Sequence, residues 1–181
     1  MIDLTKMSID WNEVEAFFYR GMLDGWASGR KAAQAPVEGY KCMQHKEEGF
    51  TLLDMWTKAS GSMGSSGVTT IYIDSASGSL LPIWTMHYGG WYSDAASELV
   101  KTALRVEYEM QLKTPSLFSG CRGCRVFETN GMNYRNTLQP IKHWWIPGET
   151  AHFGAFEGYE KVEKSDETIL GYHKYFGHAL L

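Results

Sequence analysis

The sequence predicts an α+β protein: a curved antiparallel sheet or half-barrel of about eight or nine strands, with two helices packed on it. Three observations carry this. Only two segments show apolar residues at helical spacing; the rest alternates in short runs punctuated by glycine, which makes up 19 of the 181 residues. No strand–helix–strand alternation occurs, so a parallel sheet is not expected. The length suits a single domain over 1–181, which on folding would bury roughly 70% of the surface of its extended chain.

The first helix is expected after Asp10, which stands three residues before Glu13, the spacing of a capping box. Val14, Phe17, Phe18 and Met22 then share one face with Trp11, and Gly25 is a plausible stop. Strands at 40–44 and 50–56 form a hairpin around residues 45–49. The Ser/Gly run from Ser60 to Gly67 reads as a flexible loop. It lacks the Gly-Lys-Ser/Thr ending of a phosphate-binding loop. Val68 to Asp74 and Leu81 to Tyr88 form the next strand pair, which Gly89-Gly90 ends.

Ser93 or Asp94 caps a second helix, whose apolar face is Ala96, Leu99, Val100, Ala103 and Leu104. Asn130-Gly131 is the strongest hairpin signal, since both residues accept the positive φ of a type I′ turn. A two-residue loop there sets Thr129 opposite Met132 and Phe127 opposite Tyr134, an aromatic cross-strand pair. Further strands are expected at about 141–146, 150–159 and 168–176.

Composition excludes several function classes. The formal charge is −4, with Arg30-Lys31 the only basic pair in sequence, which argues against nucleic acid as the main partner. Charges fall where a signal peptide would place its apolar stretch, and no segment approaches the ~18 apolar residues of a membrane span. A cytoplasmic protein with no membrane association is expected. Three cysteines do not imply a disulfide framework.

Several clusters occur in a telling order: Ala27-Ser28-Gly29, Glu48-Gly49-Phe50 with Asp54, Gly67, Ile71-Tyr72, and Pro82-Ile83-Trp84 with Met86, Tyr88 and Gly89. The helix with Leu99, Lys101, Ala103 and Leu104 follows, then Arg122-Gly123, Phe156-Glu157-Gly158 and a tyrosine-bearing last strand ending in Gly177. From about residue 14 to 178 the chain resembles a bacterial and archaeal family catalogued only as a domain of unknown function. Relatives of this type are sometimes fused behind a helix-turn-helix regulator. The resemblance implies a single domain and supplies no reaction. The departures are a longer turn at 75–79 and Gly177-His178 where the family commonly ends in His-Gly-Gly.

Cys121-Arg122-Gly123-Cys124 lacks the following helix that a redox pair needs, so it reads as a turn with incidental thiols. A Cys₃His zinc site would require Cys42 and a histidine to approach it. No metal and no cofactor is expected. Of the six histidines, His87 and His178 lie at the ends of aromatic strands. Alternation puts His87 with Ile83 and Thr85 on one sheet face, against Trp84, Met86 and Tyr88 on the other; His173 shares a face with Tyr175. Glu157, flanked by Phe156 and Gly158, is a candidate acid or base, or a solvated strand residue. Arg122 is a candidate partner for it and for an anionic ligand.

Seven Trp and ten Tyr are a heavy load of side chains with an apolar body and a polar tip, suited to pockets and interfaces as well as cores. The leading expectation is a small-molecule-binding module with an aromatic-lined cavity; Trp84, His87, Tyr88, Trp91, Arg122, Glu157, His173 and Tyr175 are its candidate residues. The first alternative is an enzyme using His87 or His173 with Glu157 as acid and base on a small polar substrate. The second is an interaction protein whose Trp144-Trp145 pair forms a homodimer. No Ser-His-Asp order stands out.

Overall fold

A computed structural model describes residues 9–75, 78–114, 117–139 and 151–181. The expected strand at 141–146, His143 and the Trp144-Trp145 pair lie outside the described residues. Among those described, the chain forms α1 (Trp11–Asp24), a 3-10 turn (Trp26–Ser28), β1 (Ala33–Gln34), β2 (Tyr40–Glu47), β3 (Phe50–Lys58), β4 (Gly64–Asp74) and β5 (Leu80–Tyr92). Then come α2 (Asp94–Lys113), β6 (Val126–Thr129), β7 (Met132–Gln139), β8 (Ala155–Lys164) and β9 (Ile169–Ala179).

All nine strands join one open sheet in the order β1-β2-β3-β4-β5-β9-β8-β7-β6, and each neighbouring pair is antiparallel. Both helices pack on one face. The antiparallel α+β sheet with two helices is therefore as the sequence predicted. No helix is long and apolar enough to cross a membrane among the described residues.

The helices begin where their caps stand. The Asp10 carboxylate accepts from the amides of Asn12 and Glu13, and Ser93 Oγ accepts from the Ala96 amide. The expected capping box is only half made: Glu13 turns instead to Arg20, 2.6 Å away. Val14, Phe17, Phe18 and Met22 of α1, and Ala96, Leu99, Val100, Ala103 and Leu104 of α2, are buried against the sheet. There Trp84 stacks on Phe153 at 4.7 Å and donates its indole N–H to the Phe153 carbonyl.

Asn130 and Gly131 take positive φ, and Thr129↔Met132 and Phe127↔Tyr134 pair as the turn required. Four other expectations shift. Residues 45–47 are strand, because Glu48 and Gly49 make a two-residue turn by adopting positive φ. The Ser/Gly run is loop only up to Met63; Gly64 to Gly67 pair with β5. Gly89-Gly90 does not end β5, which runs on to Tyr92. The expected strand at 150–159 starts later and runs to Lys164.

Glycine enters the sheet for space. Tyr88 lies over Gly67, Tyr92 over Gly171, Tyr175 over Gly158, Phe156 over Gly177 and His173 over Gly90, each ring across from its glycine on the next strand. A Cβ at any of the five would overlap the ring. Rings laid flat across neighbouring strands bring side chains of non-adjacent strands into contact.

Candidate functional site

One polar row crosses the helix-facing side. Lys58 (β3), Ser65 (β4), Gly90 (β5), His173 (β9), Glu160 (β8) and Asn136 (β7) are successive register partners. Because Gly90 has no side chain, the His173 imidazole lies across β5 and its Nε2 comes 3.2 Å from Ser65 Oγ. Tyr92 stacks on the ring at 4.2 Å. On the far side, His173 Nδ1 stands 4.0 Å from Glu160 Oε1 and is buried with no hydrogen-bond partner among the described residues.

Glu160 is fully buried and saturated. Its Oε1 accepts from Tyr92 Oη and from Arg122 Nε and Nη2, and Oε2 accepts from Tyr134 Oη at 2.6 Å. Burial pushes this carboxyl up, but the Arg122 guanidinium and its hydrogen bonds more than reverse that, leaving it below the ordinary carboxylate range. Burial lowers His173 to about 4; Glu160 opposes the shift and Arg122 supports it. The imidazole is therefore neutral at pH 7.

A second polar pair lies one strand further. Asp54 of β3 is buried and accepts from Thr69 Oγ1 at 2.8 Å and from Tyr88 Oη at 2.9 Å. Its burial raises the carboxyl pKa against these two hydrogen bonds and the charge of Arg122. The Arg122 guanidinium sits 5.5 Å from the centre of the Tyr88 ring, joining the two polar groups.

Of these groups, Asp54, Tyr88, Tyr92, Arg122 and His173 open onto a cavity of about 520 Å³ between the sheet and the helices. Ser65, Asp54, Trp56, Lys58, Tyr88, Tyr92 and His173 form its strand side, with Lys41 at the margin. Met22, Trp26, Gly29, Arg30 and Ala32 cover it from the end of α1, and Asp94, Ser97, Glu98 and Lys101 from the first turns of α2. Lys101 Nζ lies 5.5 Å over the Trp26 ring and pairs with Glu98.

Of the residues singled out from sequence, the fold brings Tyr88, Arg122 and His173 to this cavity. Trp84 and Tyr175 face the same side but are closed into the core, Tyr175 Oη donating to Asn136 Oδ1 at 2.5 Å. His87, Trp91 and Glu157 lie on the opposite face, where His87 stacks on Phe176 at 5.0 Å. His173 and Glu157 are thus separated by the sheet. Glu160 is the carboxylate brought to both His173 and Arg122.

Sequence reading missed Ser65 and Glu160. Ser65 sat in a run read as loop. Glu160 was discoverable, because Phe156, Gly158, Glu160 and Val162 share one parity with two apolar residues, the mark of an inward-facing position. The thiols of Cys42, Cys121 and Cys124 are free, and burial pushes Cys124 up to about 11. Among the described residues no group of three or more His, Cys, Asp or Glu is placed to hold a metal ion. No protein-family model, curated protein or solved structure matches the chain.

Proposed function

We propose that this chain is a small-molecule-binding module and that the ligand occupies the cavity between the sheet and the helix ends. The observation that supports this most is the concentration of desolvated polar groups at one cavity wall. A buried ion pair with its hydroxyl partners costs desolvation that apolar side chains of similar volume would avoid, so it is weak evidence for a purely stabilising role. Strongly shifted carboxyl and imidazole groups beside a concave space are the usual marks of a functional site. Trp26, Trp56 and Tyr88 offer flat apolar surface, while Ser65, His173 and the Lys58 ammonium offer polar contacts. A small polar molecule with an unsaturated or apolar portion fits this lining.

The test is a thermal-shift screen of the protein against a metabolite library. A ligand at a hundred times its dissociation constant adds about 2.7 kcal/mol, or roughly 5–10 °C for a chain of this size. Ser97→Trp, which places an indole in the cavity from α2, should abolish the shift while leaving the unliganded melting temperature near that of the parent. A library without a single shift, or a shift indifferent to Ser97→Trp, rejects the reading. An acid–base enzyme on the same site is the second reading, favoured by the contact of Ser65 with His173.

A further inference from the structure

We propose that Ser65 is a nucleophile, that His173 is its general base, and that the cavity hydrolyses small carboxylic esters. This rests on the cavity being a ligand site and assigns its chemistry. A serine hydroxyl becomes nucleophilic when a base within hydrogen-bond reach takes its proton and a third group orients the base. Ser65 Oγ is 3.2 Å from His173 Nε2 and lines the cavity. The ring is held by Tyr92 on its face and by Gly90 beneath it, where a Cβ would come 2.6 Å from Cδ2.

The decisive observation is His173 Nδ1. With Nε2 accepting the Ser65 hydroxyl, as this role requires, the neutral ring carries its proton on Nδ1, which is buried and has no hydrogen-bond partner among the described residues. An unsatisfied buried donor costs about 1–3 kcal/mol. A structural histidine would have been expected to find an acceptor. Glu160 Oε1 stands 4.0 Å away, too far for a hydrogen bond in the resting ring but beside the nitrogen where positive charge would develop. Catalytic hydrogen bonds are often long without substrate and tighten as the reaction proceeds. The charge of Arg122 tempers the attraction, so Glu160 acts as a positioning residue held in place by four donated hydrogen bonds.

In the first step Ser65 Oγ bonds to the ester carbonyl carbon while its proton passes to His173 Nε2. The resulting tetrahedral oxyanion is met by Lys58, the register partner of Ser65 on the same wall. The C–O bond to the alcohol then breaks, and the Nε2 proton goes to the departing oxygen. Water next attacks the acyl-serine carbon, giving one proton to Nε2; the C–Oγ bond breaks, Oγ regains that proton, and the carboxylic acid leaves. No oxidant or further reactant is required.

The test treats the folded protein with diisopropyl fluorophosphate, maps adducts by peptide mass spectrometry, and follows hydrolysis of p-nitrophenyl acetate and butyrate. The expected result is one adduct per chain on Ser65 and none on Ser66. Ser66 is the more exposed neighbour and points to the other sheet face, so selectivity would report activation and not access. Ser65→Ala should abolish adduct and turnover, His173→Gln should lower both by about 100-fold or more, and Ser66→Ala should change neither. If His173→Gln fails to fold, the wild type decides: loss of ester turnover must track modification of Ser65. No adduct at Ser65, or labelling and turnover unchanged in folded His173→Gln, overturns the proposal. Ligand shifts that persist while Ser65 stays unlabelled reject the nucleophile and leave the binding reading standing; absence of both rejects the two together.

Discussion

Two histidine–glutamate arrangements lie three residues apart along the same strands, on opposite faces of the sheet. Facing away from the helices, His87, Phe176 and Glu157 are successive register partners, and Phe176 is 44% exposed. Facing the helices, Gly90, His173 and Glu160 occupy the corresponding places, and Glu160 has no exposed surface. The residue types nearly match, but the chemistry differs. A phenylalanine separates the outer pair, while the inner pair are register neighbours 4.0 Å apart, and a glycine on the other side lets the imidazole lie flat and reach Ser65. Function here is a matter of face and of which neighbour lacks a Cβ, more than of residue type.

The largest expected effect falls on the inner carboxylate. Glu160→Gln leaves Arg122 buried with its charge uncompensated, and breaking such a pair from one side costs about 3–5 kcal/mol. Denaturant titration should show this as a lower midpoint with an unchanged slope. A cost under ~1 kcal/mol would mean that the pair reaches solvent and that the two faces differ less than their burial indicates.

The next contrast concerns pH. Ser65, Tyr88, Tyr92, Glu160 and Arg122 surround His173, and burial lowers its pKa from 6.5 to about 4. In the unfolded chain the imidazole takes up its proton near 6.5, whereas the native ring refuses it until about 4. Stability is therefore lost as pH falls through that window, by up to about 3 kcal/mol. His173→Gln should flatten this part of the profile. Asp54 runs the other way: its raised carboxyl pKa favours the native state at low pH, and that contribution fades as pH rises. Wild-type and His173→Gln profiles that run parallel between pH 6.5 and 4.5 would contradict the buried neutral imidazole.

The glycine device serves the packed and polar parts of the inner face alike, and substitution separates its two uses. Gly177→Ala drives a methyl into the Phe156 ring and 3.0 Å from the Thr85 carbonyl, so the cost is overpacking, about 1–3 kcal/mol. Gly90→Ala adds a collision with the Tyr172 carbonyl and a strained φ of 155°, and it also lifts His173 off its bed. Both variants should lose stability, Gly90→Ala the more. Only Gly90→Ala should also slow labelling of Ser65. Equal effects of both on labelling would make the slowing a general consequence of loosened packing.

The same logic explains what the sequence made legible. Both helices, their caps and the Asn130-Gly131 register are local facts, each written within a few residues. The antiparallel α+β class follows from them with the lack of strand–helix–strand alternation. The site is not local: Ser65 and His173 meet across an intervening strand, 108 residues apart in the chain. Pairing order is invisible to periodicity, so Tyr88, Arg122 and His173 were found singly, without the Ser65 and Glu160 that join them. Glycines that looked like loop and strand-end signals were seats for rings.

The smallest predicted effect is the control that ties these arguments together. Glu157 stands between Phe156 and Gly158 in sequence, which made it the more conspicuous carboxylate, yet it sits on the open-face parity with Tyr159, Lys161 and Glu163. Among the described residues no cation is paired with it, and it is only half-buried. Glu157→Gln should therefore change stability by no more than about 0.5 kcal/mol, the usual range for surface positions away from special features. Placed beside Glu160→Gln in the same denaturation series, it measures directly what one sheet thickness does to a carboxylate. If instead Glu157→Gln proved as costly as its inner counterpart, the outer face must be covered in solution, and His87 and Phe176 would belong to a second buried surface.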